Sequence, residues 1–309
     1  MSQEVIDVIV VGGGPAGLTV ASYLRRFHRS CLVLDADDSR ARWIPESNNC
    51  PGFPHGVSGT ELLRRMREQA TVVGTAFEDA VVDGIQRQEG VFQVRAGEST
   101  WHSRMVILAT GVSDCLPKED WTEAAVDCGA LRLCSICDAY EASDLAIGVH
   151  GPSDGLGGHA RFLRAYSASV HALPTDDGDG GEEGRQSREA GVQWLPGGGR
   201  LDFDGQRCSY VPPGGKPVGF DTVYAYLGSS TSAGIAAAAG AGLTPEGEII
   251  VDADQQTRLA GLYAIGDVVS GLNQISVAVG HAAIAATHAH NALPFVPRAG
   301  GDVGPVSGD

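Results

Sequence analysis

A glycine-rich turn between a strand and a helix is the feature that most restricts the fold of this chain. The segment VIDVIVV at 5–11 is almost entirely apolar, GGGPAG follows it, and 18–27 has helical periodicity. Gly12, Gly14 and Gly17 fill the G-x-G-x-x-G spacing, which permits a tight turn, a close approach of backbone to a pyrophosphate and close packing of helix on strand. The helix N-terminus then faces the phosphates with its positive end. The turn therefore predicts a dinucleotide site in an α/β fold.

Three further strands are predicted to end near the same site. The second strand of the chain ends in Asp35, 105–111 ends in Ala-Thr-Gly, and 262–268 carries Gly-Asp267 ahead of a helical run at 275–292. An acid about 20 residues after the glycine turn commonly binds a ribose hydroxyl. The carboxylate of Asp267, at a strand end, can accept hydrogen bonds from a polyol chain. All four segments point to one nucleotide-binding domain.

Charge and composition exclude several classes of partner. The 309 residues are enough for two domains, and the net charge of −16 with a pI near 4.9 argues against nucleic acid and anionic membranes. No apolar stretch is long enough to span a membrane, and the first residues do not resemble a signal peptide. An odd count of seven scattered cysteines is not typical of a secreted disulfide framework. We expect a cytoplasmic protein.

The cysteines Cys134 and Cys137 form a CxxC pair that is followed by Asp138. A zinc site needs two further ligands, usually a second CxxC or a pair of histidines, and the other cysteines form no second CxxC. Two intervening residues at a helix start bring the sulfurs within bonding reach. The pair is predicted to be a redox disulfide rather than a metal site, although an inert pair stays open.

The order of these motifs resembles the low-molecular-weight thioredoxin reductase family. The resemblance runs from about residue 5 to 293 and rests on GGGPAG, the acid after the second strand, NCPGFP at 49–54, ATG, CxxCD and the late GD. It implies an FAD-dependent disulfide oxidoreductase, a homodimer and two Rossmann-like three-layer α/β domains. The FAD domain is expected at 1–116 and 246–309, and a trimmed central domain of the NAD(P)H-binding type at 117–245.

The resemblance also assigns roles to the cysteine motif. It places Cys137 on the flavin side, gives Cys134 the exchange with a substrate disulfide, and makes Asp138 a proton donor and acceptor. Alternatively, Asp138 only caps backbone amides at a helix start. The candidate cofactor-binding residues are Gly12, Gly14, Pro15, Ala16, Gly17, Asp35, Arg42, Asn49, Val81, Thr110, Gly111, Gly266, Asp267, Gln274 and Ile275.

The chain departs from the family where a second nucleotide should bind. After the strand at 145–150, Ser153 and Leu156 occupy the second and third glycine positions of the turn. The next strand leads to Asp176 and Asp177 instead of basic residues, so the 2′-phosphate of NADPH would face carboxylates. We expect this domain not to bind NADPH, although an acid could still bind the ribose of NADH.

Three functions fit these residues. In the first, a donor such as ferredoxin reduces the FAD, and electrons pass through the cysteine pair to a thioredoxin-like protein. In the second, a small dithiol reduces the pair and oxygen reoxidises the FAD, which would make the protein a dithiol oxidase. In the third, the protein is a flavin-loaded scaffold or sensor without turnover. The Gly- and Pro-rich segment 298–309 is expected to be a mobile tail.

Overall fold

The computed structural model describes residues 5–269 and 271–297, so the predicted tail at 298–309 lies outside the described residues. The strands are β1 Ile6–Val11, β2 Cys31–Asp35, β3 Ala76–Asp79, β4 Gly84–Gln88, β5 Val91–Ala96, β6 Ser99–Leu108, β7 Val112–Asp114, β8 Leu131–Arg132, β9 Ile147–Gly151, β10 Val170–Pro174, β11 Gln193–Trp194, β12 Arg200–Phe203, β13 Cys208–Val211, β14 Val218–Phe220, β15 Thr222–Ala225, β16 Ser229–Thr231 and β17 Leu262–Ala264. The α-helices are α1 Pro15–Arg26, α2 Gly59–Val72, α3 Thr122–Asp127, α4 Ser135–Asp138, α5 Ser153–Leu163, α6 Gly181–Glu189, α7 Gly234–Ala239 and α8 Ile275–Ala292. Short 3₁₀ helices cover Arg40–Trp43 and Gly266–Val268.

The first sheet has the strand order β3-β2-β1-β6-β5-β4, and β17 also pairs with β6. The pairs β1–β2, β1–β6, β2–β3 and β6–β17 are parallel, whereas β4, β5 and β6 form an antiparallel meander. One face of the sheet packs on α1 and α8, and on the other face side chains of β1, β2, β4 and β5 pack with α7. Burial on both faces explains why β1 and β2 are nearly continuous apolar runs.

The second sheet has the strand order β11-β10-β9-β15-β8, and all its pairs are parallel. Helix α5 covers one face, while α3 and the antiparallel sheet β12-β13-β14 cover the other. The two Rossmann-like α/β domains predicted from the sequence are therefore confirmed. Strands β7 and β16 pair as a separate antiparallel ribbon. In the sequence, β7 follows β6 of the first sheet and β16 follows β15 of the second. Within the described ranges, none of the helices is long and apolar enough to cross a membrane.

The glycine turn after β1 is packed at backbone contact distance. Gly12 has φ +106°, and a Cβ there would lie 2.4 Å from the carbonyl oxygen of Ala109. A Cβ on Gly17 would lie 1.9 Å from the carbonyl oxygen of Gly12. The close helix–strand approach that the sequence motif predicts is thus a feature of the structure.

Replacement of Gly17 by alanine should lower the free energy of unfolding by about 3 kcal/mol or more, because a backbone atom must move to admit the methyl group. Urea unfolding measures the change. Gly280 is the matched control, since it lies exposed in α8 with open space around its Cβ position. Gly280→Ala should stabilise the protein by up to about 1 kcal/mol through helix propensity. Equal, small effects at both positions would contradict the close packing.

Candidate redox active site

A single cavity of about 740 Å³ connects the glycine turn of the first domain with the cysteine pair of the second. It brings together most of the residues that the sequence singled out. Those that line it are Gly12, Gly14, Pro15, Ala16, Asp35, Asn49, Val81, Thr110, Gly111, Cys134, Cys137, Asp138, Gly266, Asp267, Gln274 and Ile275. A ligand that fills this cavity would touch both the nucleotide-binding turn and the cysteines.

The two other candidates, Gly17 and Arg42, lie outside the lining. Gly17 packs against the Gly12 carbonyl, while the exposed guanidinium of Arg42 pairs with Asp38 at 3.3 Å. The arginine that lines the cavity is Arg40. In a 3₁₀ helix, side chains three positions apart share a face, so Arg40 shares a face with Trp43 and Arg42 points elsewhere.

The guanidinium of Arg40 forms ion pairs with two carboxylates, those of Asp114 and Asp267. Its Nε lies 2.6 Å from Oδ2 of Asp114, and its Nη1 lies 3.2 Å from Oδ2 of Asp267. Burial raises the pKa of Asp267, and the neighbouring Arg40 partly offsets that rise. This ion-pair network ties the 3₁₀ helix Arg40–Trp43 to β7 and to the 3₁₀ helix Gly266–Val268. It also places the guanidinium of Arg40, rather than that of Arg42, in the cavity lining.

Features of the first domain fit an extended dinucleotide. Over residues 5–269 and 271–297, the buried hydroxyl of Thr110 has no hydrogen-bond partner, as expected of a group that a ligand would satisfy. A Cβ on Gly13 would overlap the carboxylate of Asp35, and one on Gly12 would overlap backbone. The turn can therefore present its bare backbone to a phosphate.

Asp35 holds the turn in place. Its Oδ1 accepts a hydrogen bond from the backbone N–H of Gly13 at 3.1 Å, and its Oδ2 accepts one from Nη1 of Arg67 at 2.9 Å. The side chain is almost fully buried. Since each carboxylate oxygen has two lone pairs, Asp35 can still accept a hydrogen bond from a ribose hydroxyl.

Cys134 and Cys137 form a disulfide at the start of α4, with Cys134 at the N-cap position. The side-chain amide of Gln274, from the N-cap of α8, contacts both sulfurs, because its Nε2 lies 3.5 Å from each Sγ. Its Oε1 accepts a hydrogen bond from Nδ2 of Asn49 at 3.0 Å. Two candidate residues from the sequence, Asn49 and Gln274, are thus hydrogen-bonded to each other, and Gln274 contacts the disulfide. In the described part of the chain, no group of three or more His, Cys, Asp or Glu is placed to hold a metal ion.

Asp138 is held by side chains that sequence reasoning missed. Its Oδ1 accepts a hydrogen bond from the hydroxyl of Tyr224 at 2.8 Å, and its Oδ2 lies 3.0 Å from Nη1 of Arg132. Burial raises the pKa of Asp138, and Arg132 and Tyr224 offset only part of that rise. The carboxylate bonds to these side chains rather than to the amides at the start of α4. It is therefore a partly buried acid beside the disulfide, suited to holding a proton.

The comparison with known families decides the class of this site. Residues 6–149 and 182–282 match the family described as pyridine nucleotide-disulphide oxidoreductase. The chain belongs to this family. The predicted class, a disulfide oxidoreductase, is thereby confirmed.

Several relatives of this oxidoreductase are named thioredoxin reductases, which confirms the predicted resemblance. The enzyme of Mycolicibacterium smegmatis is 35% identical over 178 residues, which cover 57% of this chain and 57% of the relative. That of Mycoplasmopsis pulmonis is 28% identical over 92% of this chain and 97% of its own length. Among solved structures, thioredoxin reductase from Streptococcus pyogenes matches with a TM-score of 0.85 at 24% identity over 94% of this chain and 98% of its own. The structure of HlmI matches with a TM-score of 0.85 at 26% identity over 93% and 92% of the two chains.

The second nucleotide turn of this oxidoreductase is closed by its own side chains. The carboxylate of Asp176 accepts hydrogen bonds from the backbone N–H of Ser153 at 3.0 Å and from its hydroxyl at 2.5 Å. These bonds hold the pKa of Asp176 below its ordinary value. Gly178 packs so closely that a Cβ there would lie 2.0 Å from Oγ of Ser153. Two donors at the start of α5, the N–H and the hydroxyl of Ser153, thus already have an internal acceptor.

Leu156, at the third glycine position of the turn, does not crowd the helix against the sheet. It is buried in the core under α5 together with Val149 of β9. The reason is a kink, since Asp154 is non-helical and Gly155 has φ +80°. The kink displaces the start of the regular helix and makes room for the larger side chain.

Proposed function

We propose that the chain is an FAD-dependent thiol–disulfide oxidoreductase that exchanges electrons between FAD and the Cys134–Cys137 disulfide. The observation that carries the proposal is the continuous cavity from the glycine turn to the cysteine pair. FAD, when bound, supplies a two-electron carrier. The remaining chemistry, which is thiol exchange and proton transfer, falls to residues of the chain itself.

Residues of the first domain would hold the cofactor. The backbone of the Gly12–Gly14 turn and the N-terminus of α1 suit the pyrophosphate, and Asp35 suits a ribose hydroxyl. Among the residues that the structure describes, the hydroxyl of Thr110, which lines this site, has no hydrogen-bond partner. Asp267, whose charge is partly balanced by Arg40, suits the polyol chain.

Residues of the second domain would carry out the exchange. Cys134 exchanges with the substrate sulfur, Cys137 faces the flavin, and Asp138 takes up and returns the proton of the thiol. The raised pKa of Asp138 supports this role. The substrate is a thioredoxin-like protein or a small dithiol, and we place the enzyme in the cytoplasm as a homodimer.

The electrons do not enter from NADPH at the second turn. Supporting this, Asp176 already accepts from the N–H and hydroxyl of Ser153, where a pyrophosphate would have to bind. A phosphate there would meet a carboxylate of the same sign. A protein donor such as ferredoxin fits these contacts. They equally favour a second candidate, a dithiol oxidase in which a small dithiol delivers electrons through the cysteines and oxygen removes them.

The test is anaerobic reduction of the purified protein's bound flavin, followed in a stopped-flow spectrometer. A dithiol should bleach the flavin rapidly, whereas NADPH and NADH should bleach it at least about 100-fold more slowly, as expected when charge-assisted donors to the pyrophosphate are lost. Rapid bleaching by NADPH would overturn the claim about the second turn. Purified protein that binds no FAD, or flavin that no dithiol reduces, would overturn the proposed function. Peroxide formation with a small dithiol in air, without turnover of thioredoxin, selects the oxidase.

A further inference from the structure

The amide of Gln274 lies between the two domains. Gln274 precedes α8 of the first domain, with φ −138° and ψ 145°, and its side chain caps no amide of its own helix. Its Nε2 instead lies 3.5 Å from Sγ of Cys134 and 3.5 Å from Sγ of Cys137, which belong to the second domain. A polar group that is equidistant from both reacting atoms is unusually placed for a residue that serves only to bind a cofactor.

We propose that Gln274 is a catalytic residue that donates a hydrogen bond to the thiolate released when the Cys134–Cys137 disulfide opens. The inference rests on the proposed function, since it assigns a role within the same thiol exchange. In that exchange, a substrate thiolate forms a new S–S bond with one sulfur, and the Cys134–Cys137 bond breaks. The electron pair of the broken bond remains on the other sulfur as a thiolate.

The amide group suits this step in either direction. A side-chain –NH₂ has two N–H donors, so one can face each sulfur. The donor is therefore in place whichever cysteine becomes the leaving thiolate. A hydrogen bond to an anion is stronger than one to a neutral group. Gln274 thus stabilises the opened, charged state more than the closed disulfide, which is what a catalytic contact must do.

A chain of hydrogen bonds fixes which end of the amide faces the sulfurs. The hydroxyl of Ser47 donates to Oδ1 of Asn49 at 3.2 Å, and Nδ2 of Asn49 donates to Oε1 of Gln274 at 3.0 Å. Ser47 is buried and paired with Val57 through its backbone, which anchors the chain. The oxygen of Gln274 also lies 3.8 Å from Sγ of Cys137, but it accepts its hydrogen bond from Asn49, and the –NH₂ is the end of the amide that lies 3.5 Å from both sulfurs. Asn49 acts through Gln274 and is a positioning residue.

Other charges line the same cavity and also influence a thiolate. Those of the second domain are Asp127, Arg132, Asp138 and Glu141, and those of the first are Asp35, Asp38, Arg40, Glu46, Asp114 and Asp267. The ion pairs Arg132–Asp138 and Arg40–Asp267 balance part of this charge. Substitutions at Gln274 leave all ten unchanged, so a difference between variants reports the amide alone.

The experiment measures iodoacetamide alkylation of the two cysteines against pH, by mass spectrometry, in full-length protein reduced with dithiothreitol. In Gln274→Leu the midpoint of the alkylation profile should move upward by about one pH unit, since one charge-assisted donor is lost. Gln274→Glu should move it further, because its carboxylate repels a thiolate. The equilibrium constant for reduction of the disulfide, measured in a dithiothreitol redox buffer, should fall about tenfold, in step with that shift.

Variants of the asparagines test the positioning. Asn49→Asp should also raise the midpoint, because its carboxylate cannot donate and turns the amide of Gln274 around. In a Gln274→Leu background it should add no more than Asn48→Asp adds there, as expected for residues that act through one another. Asn48→Asp is the matched control: it adds the same charge one position away, and its effect should be less than half as large.

An unchanged midpoint in both Gln274→Leu and Gln274→Glu would overturn the inference, and so would equal shifts in Asn49→Asp and Asn48→Asp. These readings do not depend on flavin chemistry. If dithiols failed to bleach the wild-type flavin, the proposed function would fail while the alkylation midpoints still decided the role of Gln274. If bleaching were normal and the midpoints did not move, the inference alone would fail.

Discussion

Cys137→Ser protein is expected to lose dithiol-driven reduction of its flavin by about 10³-fold or more. A serine hydroxyl cannot form or break an S–S bond, so the electron pair has no covalent route from Cys134 toward the cofactor. Removal of one member of a group that acts as a unit costs nearly as much as removal of the whole group. Stopped-flow absorbance under anaerobic conditions, with a dithiol as reductant, measures the loss.

The single variants also separate the roles of the two sulfurs. In Cys137→Ser, Cys134 can still attack a substrate disulfide, but no partner resolves the product, so a mixed disulfide on Cys134 should accumulate. In Cys134→Ser this adduct should be absent. Mass spectrometry of the protein after incubation with a disulfide substrate distinguishes the two outcomes. Accumulation of a mixed disulfide only in Cys134→Ser would contradict the proposed roles, since Cys137 would then be the cysteine that attacks the substrate.

Cys115→Ser is the control for these experiments. Cys115 is an exposed free cysteine that does not line the cavity. Its substitution removes a thiol without touching the redox pair, so reduction of the flavin should proceed at the wild-type rate. A loss in this variant comparable to that of Cys137→Ser would show that a free thiol, rather than the pair, carries the electrons.

The elements that the sequence predicted best are those with strong local patterns. The helix predicted at 275–292 is observed as Ile275–Ala292, and the glycine turn lies between β1 and α1 as expected. A periodic apolar face and a run of obligatory glycines restrict the backbone whatever surrounds them. Strands β4 and β5, which form the antiparallel meander with β6 in the first sheet, were not predicted, because their five and six residues of mixed polarity carry a weak local signal.

The contacts within the site were less accessible to sequence reasoning. Tyr224 and Arg132 reach Asp138 from β15 and β8, and only the order of the second sheet makes those strands neighbours. For Arg40, a local signal existed, since the spacing of Arg40 and Trp43 matches one turn of a 3₁₀ helix. The contact of Gln274 with the sulfurs depends on how the two domains meet, which no local pattern encodes.

Asp138→Asn is expected to slow thiol–disulfide exchange by about 100-fold, near the lower end of what a positioned acid–base group contributes. The amide can still accept the hydrogen bond of Tyr224, so the local structure should persist, but it cannot take up or return a proton. The measurement is the rate of disulfide turnover with a reduced flavin. Glu141→Gln is the control, because Glu141 is an exposed acid that lines the same cavity and should change the rate by about threefold or less.

The pH dependence of stability gives a reading of Asp138 that is independent of turnover. Burial, the largest influence, raises its pKa above the ordinary 3.8 in the folded state. Between 3.8 and the raised value, the folded protein therefore binds more protons than the unfolded chain. The contribution of Asp138 to stability is thus fully present below pH 3.8 and is lost as pH rises through the folded pKa. Urea unfolding across this range should show that the free energy of unfolding falls with rising pH, and the part of this slope that comes from Asp138 should disappear in Asp138→Asn.

If the slope persisted in Asp138→Asn while exchange slowed, the slope would belong to another carboxyl group with a raised pKa, such as Asp267. If neither slope nor rate changed, Asp138 would not be the group that carries the proton.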